Sequence, residues 1–256
     1  PSQSSAASDV YKRQVEYDGG DFVGWQRQDN GPSVQAALEQ AASAIIGGRM
    51  AVAVQGAGRT DAGVHATGQA AHFDLPDAFD PDRLPLALNA HLPDTVRVLS
   101  ARGVDDDFSA RFDAIGRAYR YRIVTRRIAP ALGRGLVWHV GQPLDHLAMT
   151  EAAQHLIGRH DFTSFRATHC QAQSPVRTLD TLRLEVEDDG LSLIAEARSF
   201  LHHQIRNITG TLVLVGRGKW TPLDVRDALA AQNRSAAGPT APPQGLYLTR
   251  VDYPQD

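Results

Sequence analysis

The chain has 256 residues, of which 42% are apolar, and its formal net charge is −3. This length and composition are typical of one large or two small globular domains with ample material for a core. No apolar run approaches the ~18 residues that a membrane span requires, which excludes a membrane-spanning function.

The first half of the chain predicts alternating strands and helices. Residues 1–14 differ in character from the rest of the chain, because a small polar lead precedes residues 9–14, which read as a translated sequencing-library adapter. We predict that residues 1–14 are a non-native N-terminal scar and set them aside before predicting the fold. The elements predicted after them are a strand over 15–17, a helix over 34–45 capped by Ser33, strands over 52–55 and 69–73, a helix over 80–91 and a strand over 96–101.

The second half repeats this order loosely. Its predicted elements are a strand over 118–125, a helix over 144–157, a hairpin of strands over 181–187 and 191–197, helices over 202–215 and 222–231, and a strand over 245–251. Two β-α-β-β-α-β-like halves, residues 15–110 and 111–256, are typical of ferredoxin-like units. We therefore predict an α/β (α+β) fold of two ferredoxin-like halves, with joined, mainly antiparallel sheets and a central cleft.

The basic residues are concentrated in one segment despite the acidic net charge. Residues 111–134 contain seven arginines and a single acid, Asp113. Only two basic residues of the chain are lysines, and arginine binds phosphate bidentately and stacks on bases. An arginine-rich genome would explain the preference for arginine, but it does not explain the clustering. The segment therefore favours RNA as a partner.

Cysteine usage and the N-terminus indicate a cellular location. Cys170 is the only cysteine, so no disulfide can form within the chain. No secretory signal is visible at the N-terminus. We therefore expect the protein in a reducing cytoplasm.

A run of small residues surrounds one acid in residues 58–66, Gly-Arg-Thr-Asp-Ala-Gly-Val-His-Ala. Glycines and alanines allow the backbone to approach a bulky ligand, so Asp61 can meet a substrate at contact distance. An Asp in such a turn is also a common Asx turn or helix cap. The run is not a phosphate-binding loop, because no Gly-Lys-Ser/Thr comes after it.

A second block, Arg-Ala-Tyr-Arg-Tyr, covers residues 117–121. On a strand its alternation places Tyr119 and Tyr121 on one face and the arginines on the other. Two such tyrosines are usually core aromatics on a half-buried strand. The pattern alone therefore leaves their role open.

A third block, Phe-Leu-His-His-Gln-Ile-Arg-Asn, covers residues 200–207. Arg206 follows His202 by four residues, so both are predicted on one face of a helix, near its apolar stripe. A buried arginine requires a carboxylate partner. Adjacent histidines on a helix point about 100° apart, so we expect no metal at His202 and His203.

The three blocks together resemble the tRNA pseudouridine synthase A family, and the resemblance runs from about Val15 to Pro254. Members of this family isomerise uridine to pseudouridine in the anticodon arm of tRNA. The resemblance implies an isomerase without a cofactor or metal, with the anticodon arm of tRNA as its partner. It also implies a homodimer as the active form and a first strand that the predicted scar has partly overwritten.

The resemblance makes Asp61 the essential catalytic carboxylate and pairs it with Arg206. The reaction breaks the N-glycosidic bond, turns the uracil and rejoins it through carbon, while the sugar becomes electron-deficient at C1′. A carboxylate can attack that carbon, stabilise its charge or remove the C2′ proton. These three roles stay open.

The resemblance also implies substrate contacts. Tyr119 is identified as the active-site aromatic, which stacks on the uracil or acts in the later proton transfer. Arg59 is either a surface arginine or, as the motif match favours, a residue that holds the target nucleotide out of the base stack. The other predicted substrate-binding residues are His202, Leu246, Trp25 and Gln26. Residues 165–167 and 174–177 match a further family block, whose role we cannot derive.

Two other function classes remain alternatives. A noncatalytic RNA-binding module would use the same basic segment, but it would not require Asp61, Tyr119 and Arg206 together. A metal-dependent hydrolase would use Asp61, His65 and His72, but the sequence lacks a ligand spacing such as His-Glu-x-x-His.

Overall fold

The computed structural model describes residues 9–76 and 78–254 of the chain. The chain divides into two compact units. The first unit contains the described residues up to Ile115 and those from Leu248 onward, and the second unit is Gly116–Tyr247. Residues 1–8 of the predicted scar lie outside the described residues.

Ten strands and five α-helices form in the described part of the chain. The strands are β1 (Asp9–Tyr17), β2 (Gln55–Gly56), β3 (His65–Leu75), β4 (Val96–Val104), β5 (Gly116–Val124), β6 (Trp138–His139), β7 (Gly158–Asp161), β8 (Val176–Glu187), β9 (Gly190–Ala197) and β10 (Leu246–Asp252). The helices are α1 (Val34–Ile45), α2 (Leu84–Asn89), α3 (His146–Gln154), α4 (Gln204–Gly216) and α5 (Pro222–Ala230).

The first unit is a sheet in the order β4-β1-β3-β10, with the short β2 paired to β3. Strand β1 is antiparallel to both β3 and β4, so it is central in this part of the sheet. Helix α1 begins as predicted, because the Ser33 side chain accepts a hydrogen bond from the Ala36 N–H at 3.2 Å. Its apolar side, including Val34 and Leu38, is buried.

The second unit is a sheet in the order β5-β9-β8-β7, with β6 parallel to β5. The pairs β5–β9, β8–β9 and β7–β8 are all antiparallel. Helix α5 begins at residue 222 as predicted, because the side chains of Thr221 and Asp224 each bond the backbone N–H of the other residue.

The predicted α/β class and its mainly antiparallel pairing are confirmed by the strand pairings within each unit. None of the helices in the described part of the chain combines the length and apolar character that crossing a membrane requires.

The helix predicted over 80–91 is wrong in its bounds, because α2 covers only Leu84–Asn89 and follows a turn. Pro85 explains the difference. Proline has no backbone N–H and is tolerated only in the first turn of a helix. A helix that begins at Leu84 places Pro85 in that turn.

The strand predicted over 52–55 is also mostly wrong, because β2 contains only Gln55 and Gly56. Side chains of α1 bind the preceding backbone instead. The Val52 N–H donates to Ser43 Oγ at 3.2 Å, and the Val54 N–H donates to Glu39 Oε1 at 3.3 Å. These N–H groups are satisfied without a neighbouring strand.

Other boundaries differ by smaller amounts. Strand β3 is longer than the predicted 69–73, and α3 begins after Asp145, whose side chain accepts from the Ala148 N–H at 3.0 Å. Strands β6 and β7 were not predicted. Both are at most four residues long and lack the apolar alternation that identifies a strand.

Arg13 occupies a core position on β1. Residues 9–14, the described part of the predicted scar, pair along β3 in continuous register. Arg13 lies on the same strand face as the buried Tyr11 and Val15, and only 1% of it is exposed. Its Nη1 donates to the Tyr11 carbonyl at 2.8 Å, and its Cζ lies 3.2 Å from the centre of the Phe73 ring. Its Nε and Nη2 have no hydrogen-bond partner among the described residues, and burial lowers its pKa well below the usual value.

We expect Arg13→Leu to stabilise the protein. A buried cation without a carboxylate partner has a large desolvation cost, and replacement of buried charges by apolar residues often stabilises by about 1–4 kcal/mol. The melting temperature should therefore rise by several degrees in differential scanning calorimetry. The control is Gln14→Leu, which places a leucine on the exposed face of the same strand and should change stability by less than about 0.5 kcal/mol. A lower melting temperature for Arg13→Leu would contradict this account of the buried cation.

Candidate active site

Asp61 lies in the loop between β2 and β3, in a turn closed by a hydrogen bond from the Val64 N–H to the Asp61 carbonyl at 3.1 Å. Gly63 in this turn has φ of 73°, a left-handed conformation that favours glycine. Asp61 also forms an isolated antiparallel bridge with Gly24. The backbone that carries the carboxylate is therefore held from two sides.

Gly24 allows this close approach. Its φ is 117°, and a Cβ at this position would lie 2.7 Å from the Thr60 carbonyl oxygen. The next residue, Trp25, donates its N–H to that same oxygen at 3.0 Å. Any larger residue at position 24 would separate the two segments and displace the Asp61 loop.

Buried polar side chains also hold the Asp61 loop in place. The hydroxyls of Tyr17 and Thr60 are 2.8 Å apart, and Gln69 Nε2 donates to the Gly58 carbonyl at 2.8 Å. The Tyr17 ring packs against Trp25, with ring centres 6.0 Å apart. Tyr17 and Gln69 were not predicted as site residues. The only sequence signal for them was a polar side chain at a core-facing strand position.

The other predicted residues of the first unit differ in exposure. Arg59 and Gln26 are exposed, Asp61 is half-buried, and only 3% of Trp25 is exposed. The structure therefore places Trp25 beneath the loop as a support, while Arg59 and Gln26 face solvent.

His65 and His72 both use a ring nitrogen to hold backbone. The Gly19 N–H donates to His65 Nδ1 at 3.0 Å, and the Ala110 N–H donates to His72 Nδ1 at 3.1 Å. Burial lowers the pKa of His72 below its usual value, which keeps this nitrogen an acceptor. Among the described residues, Asp61, His65 and His72 do not form a group with metal-ligand spacing. The ligand set of the alternative hydrolase is therefore not supported.

Tyr119 and Tyr121 are both buried on β5. The Tyr119 ring meets the Phe200 ring edge-on, with ring centres 5.2 Å apart. The Tyr121 hydroxyl donates to the Pro242 carbonyl at 2.6 Å. Burial raises the pKa of Tyr121 above its usual value, although the charge of Arg206 opposes this. Tyr121 is therefore a neutral structural residue at physiological pH.

The helix predicted to begin at His202 is wrong at its start, because α4 begins at Gln204. His202 lies in the preceding turn, and His203 is the N-cap with a left-handed φ of 62°. The two imidazole rings are 4.0 Å apart between centres. Because His202 and His203 lie outside the helix, two predictions from helical spacing do not apply. One is the shared helical face of His202 and Arg206, and the other is the divergence of the two histidines.

Arg206 is positioned by the loop that precedes β10. Its Nε donates to the Ala241 carbonyl at 2.8 Å, and the Ala241 N–H donates to the Arg206 carbonyl at 3.0 Å. These two reciprocal bonds fix the half-buried guanidinium against one segment of backbone. Leu246, at the start of β10, is 6% exposed.

Asn207 holds that loop in place. Its Oδ1 accepts from Thr240 Oγ1 at 2.6 Å and from Arg234 Nη2 at 3.1 Å, and its Nδ2 donates to the Phe165 carbonyl at 2.9 Å. Arg234 Nη1 also donates to the Gly238 carbonyl at 3.0 Å, and burial lowers the Arg234 pKa. This network was not predicted from the sequence, although Asn207 ends the third block.

Neighbouring backbone segments therefore position each of the site residues of the second unit. The Ala167 N–H donates to the His202 carbonyl at 2.9 Å, which ties the block at residues 165–167 to the turn before α4. In this unit neighbouring residues support Tyr119 and Arg206, whereas His202 is exposed. In the first unit it fixes the Asp61 loop and leaves Arg59 exposed.

Comparisons with known proteins identify related chains. A family model described as tRNA pseudouridine synthase matches residues 14–113 and 152–254. The chain is 59% identical over 244 residues to tRNA pseudouridine synthase A of Rhodopseudomonas palustris, covering 95% of this chain and 99% of that protein. It is 56% identical over 245 residues to tRNA pseudouridine synthase A of Rhodospirillum rubrum, covering 95% of this chain and 87% of that protein.

We expect Asn207→Ala to destabilise the protein by about 2–3 kcal/mol, because each buried polar group that loses its partner costs about 1–3 kcal/mol. Urea denaturation measures this as a lower midpoint with an unchanged slope. Thr240→Ala is the matched control, since it removes two bonds of the same network, those with Asn207 and Arg234, but at an exposed residue, and it should cost about 1 kcal/mol or less. Equal effects of the two variants would show that Asn207 does not organise the network.

Proposed function

This chain belongs to the tRNA pseudouridine synthase A family, and we propose that it isomerises uridine to pseudouridine in the anticodon stem-loop of tRNA, with Asp61 as the catalytic carboxylate. The main support is that the matched family segment, residues 14–113, includes the whole Asp61 loop. The loop has the rigidity that catalysis requires, since the bridge to Gly24 and the buried bond of Thr60 hold its backbone.

The chemistry assigns Asp61 its task. When the N-glycosidic bond breaks, C1′ of the ribose becomes electron-deficient and requires an anion nearby. A half-buried carboxylate in a fixed loop can attack C1′, stabilise its charge or remove the C2′ proton. In each case the atoms of uracil and ribose are conserved, so the proposed reaction requires no oxidant, reductant or co-substrate.

The other predicted residues act around this carboxylate in our proposal. Arg206 is the partner of Asp61 that the family resemblance implies, and its own position is supported by the Ala241 bonds. Tyr119 stacks on the uracil or acts in the later proton transfer, and Phe200 supports its ring. Arg59, which is exposed beside the loop, holds the target nucleotide out of the stack.

Substrate contacts complete the proposal. His202 and Gln26, both exposed, contact the RNA, while Leu246 contacts the uracil and Trp25 supports the loop. We also propose that the enzyme acts as a homodimer in the cytoplasm, on the basis of the family resemblance and the single cysteine.

We expect Asp61→Asn to lower the single-turnover rate of pseudouridine formation by several orders of magnitude. An amide has nearly the size and shape of the carboxylate, but it is neither a nucleophile nor a base. Binding of tRNA should persist, because phosphate contacts supply most of the affinity. The assay uses a labelled anticodon stem-loop with pseudouridine mapping, and the control is Asp106→Asn, an exposed acid of the same unit.

This experiment also separates the alternatives. Near-normal turnover by Asp61→Asn would overturn the assignment of the carboxylate. Binding without pseudouridine formation by the wild-type protein would favour the noncatalytic RNA-binding module. A metal ion detected in the wild-type protein by metal analysis, together with loss of activity when that ion is chelated, would favour the metal-dependent hydrolase.

The arginine-rich segment supports the RNA partner, but its members are not equivalent. Arg120 donates to both Glu187 and Ser192, so its charge is already used within the protein. Burial would raise the Glu187 pKa, but hydrogen bonds from Ser192 and Arg120 and the charges of Arg120 and Arg122 leave it lowered. Arg126 and Arg127 are exposed, and neither forms an ion pair within the described residues. These two residues are the better candidates for phosphate contact.

We expect the double variant Arg126→Ala and Arg127→Ala to weaken tRNA binding and to flatten its salt dependence. Each lost phosphate contact should reduce the slope of log Kd against log salt by about 0.7–0.9. Fluorescence anisotropy over a range of KCl concentrations measures the slope. The control is the double variant Arg183→Ala and Arg226→Ala, which removes two arginines already paired with Glu185 and Asp227. An unchanged slope would mean that Arg126 and Arg127 face away from the RNA.

A further inference from the structure

A basic pocket of about 340 Å³ lies within the second unit, and neither the catalytic assignment nor the 111–134 segment includes it. Seven residues line it, and they are three arginines, three hydroxyl side chains and one valine. The charged and polar members are Arg159, Arg177, Arg198, Ser174, Thr178 and Ser199. None of the seven lining residues is acidic.

Three strands build this pocket. Arg159 on β7 pairs directly with Thr178 on β8. Leu179 on β8 pairs with Ala197, the last residue of β9, so Arg198 comes directly beyond this pair. Because β8 separates β7 from β9, the backbones of Arg159 and Arg198 are about 10 Å apart. Two exposed arginines therefore flank a threonine on the intervening strand.

Arg177 shapes the third side of the pocket. Its Nη1 donates to the carbonyls of Ser174 and Val176 at 3.0 and 2.7 Å, which fixes the segment that carries the Ser174 hydroxyl. Its Nε is buried without a hydrogen-bond partner among the described residues. This segment is the block at residues 174–177, whose role could not be derived from the sequence.

The charge of the pocket is not compensated within the unit. In the part of the chain that the structure describes, none of the three guanidinium groups forms an ion pair. Other arginines of the same unit do so, as Arg183 with Glu185 and Arg226 with Asp227. Three like charges around one pocket repel each other, and an anion between them would remove that repulsion.

The chemistry of the lining selects phosphate. Guanidinium groups bind phosphate oxygens bidentately, and serine and threonine hydroxyls donate to the same oxygens. Such contacts position a nucleic-acid backbone without reading its bases.

The pocket is adjacent to the candidate active site in this unit. Arg198 and Ser199 immediately precede Phe200, whose ring packs edge-on against Tyr119. The Cα atoms of residues 198 and 200 are at most about 7 Å apart. The backbone that carries Arg198 is therefore continuous with the segment that packs against Tyr119, the residue proposed to contact uracil.

We propose that this pocket binds a backbone phosphate of the tRNA close to the target uridine. The inference rests on the proposed function, and it assigns a role to the block at residues 174–177. The pocket anchors the strand on one side of the flipped nucleotide, so that the uracil reaches Tyr119 while the phosphate stays fixed.

The test is the double variant Arg159→Gln and Arg198→Gln, which keeps polar side chains at two exposed positions. The matched control, Arg183→Gln and Arg226→Gln, removes two paired arginines of the same unit. Arg177 is not replaced, because it holds backbone. Calorimetry establishes that both variants fold. Fluorescence anisotropy with the anticodon stem-loop gives Kd over a range of KCl concentrations, and single-turnover assays give rates over a range of RNA concentrations.

We expect the pocket variant to bind about tenfold more weakly at moderate salt, and its salt slope to fall by about 1–2, while the control stays near wild type. Its rate deficit should be largest at low RNA concentration and should shrink as the RNA approaches saturation. A slope equal to that of the control, or a rate deficit independent of RNA concentration, would overturn the proposal. If the wild-type protein forms no pseudouridine, the proposed function fails, whereas a changed slope in the pocket variant would still support the phosphate site.

Discussion

Both units depend on the rule that irregular backbone must find hydrogen-bond partners when it is withdrawn from water. Asp61 lies in a loop, and irregular segments also pack around Arg206 on α4, so neighbouring strands cannot satisfy all of this backbone. Buried side chains do so instead. Gln69 donates to the Gly58 carbonyl in the first unit, and Asn207 donates to the Phe165 carbonyl in the second. The same bonds that satisfy the backbone also orient it, which is why each loop has one geometry.

This rule explains which parts of the fold could be predicted from the sequence. Helix α1 and helix α5 carry their start signals locally, at Ser33 and Thr221, and both starts were predicted. The wrongly predicted boundaries have two causes. One is a proline that the apolar pattern does not take into account, and the other is hydrogen bonding to side chains that are distant in sequence. Pro85 shifted the start of α2, whereas the backbone at residues 52–54 binds side chains of α1 rather than a neighbouring strand.

The candidate site divides in the same way. Asp61, Tyr119 and Arg206 could be named in advance, because their motifs are short and contiguous. Their supports could not be named, because Tyr17 and Thr60 are 43 positions apart and Asn207 and Phe165 are 42 apart. A polar residue in a core-facing position was the only available sign. His202 shows the converse error, because a regular spacing was extended past the left-handed residue His203, where the helix had not begun.

The arginines show why the net charge of −3 does not predict the partner. A guanidinium that already pairs with a carboxylate, as Arg120 does with Glu187, supports the local structure but attracts an external anion only weakly. A guanidinium without such a partner keeps its charge available to an external anion. Arg159 and Arg198 are of this second kind among the described residues. Attraction to RNA is therefore determined by the positions of unpaired arginines on each unit, and acids elsewhere on the chain lower the sum without neutralising these positions.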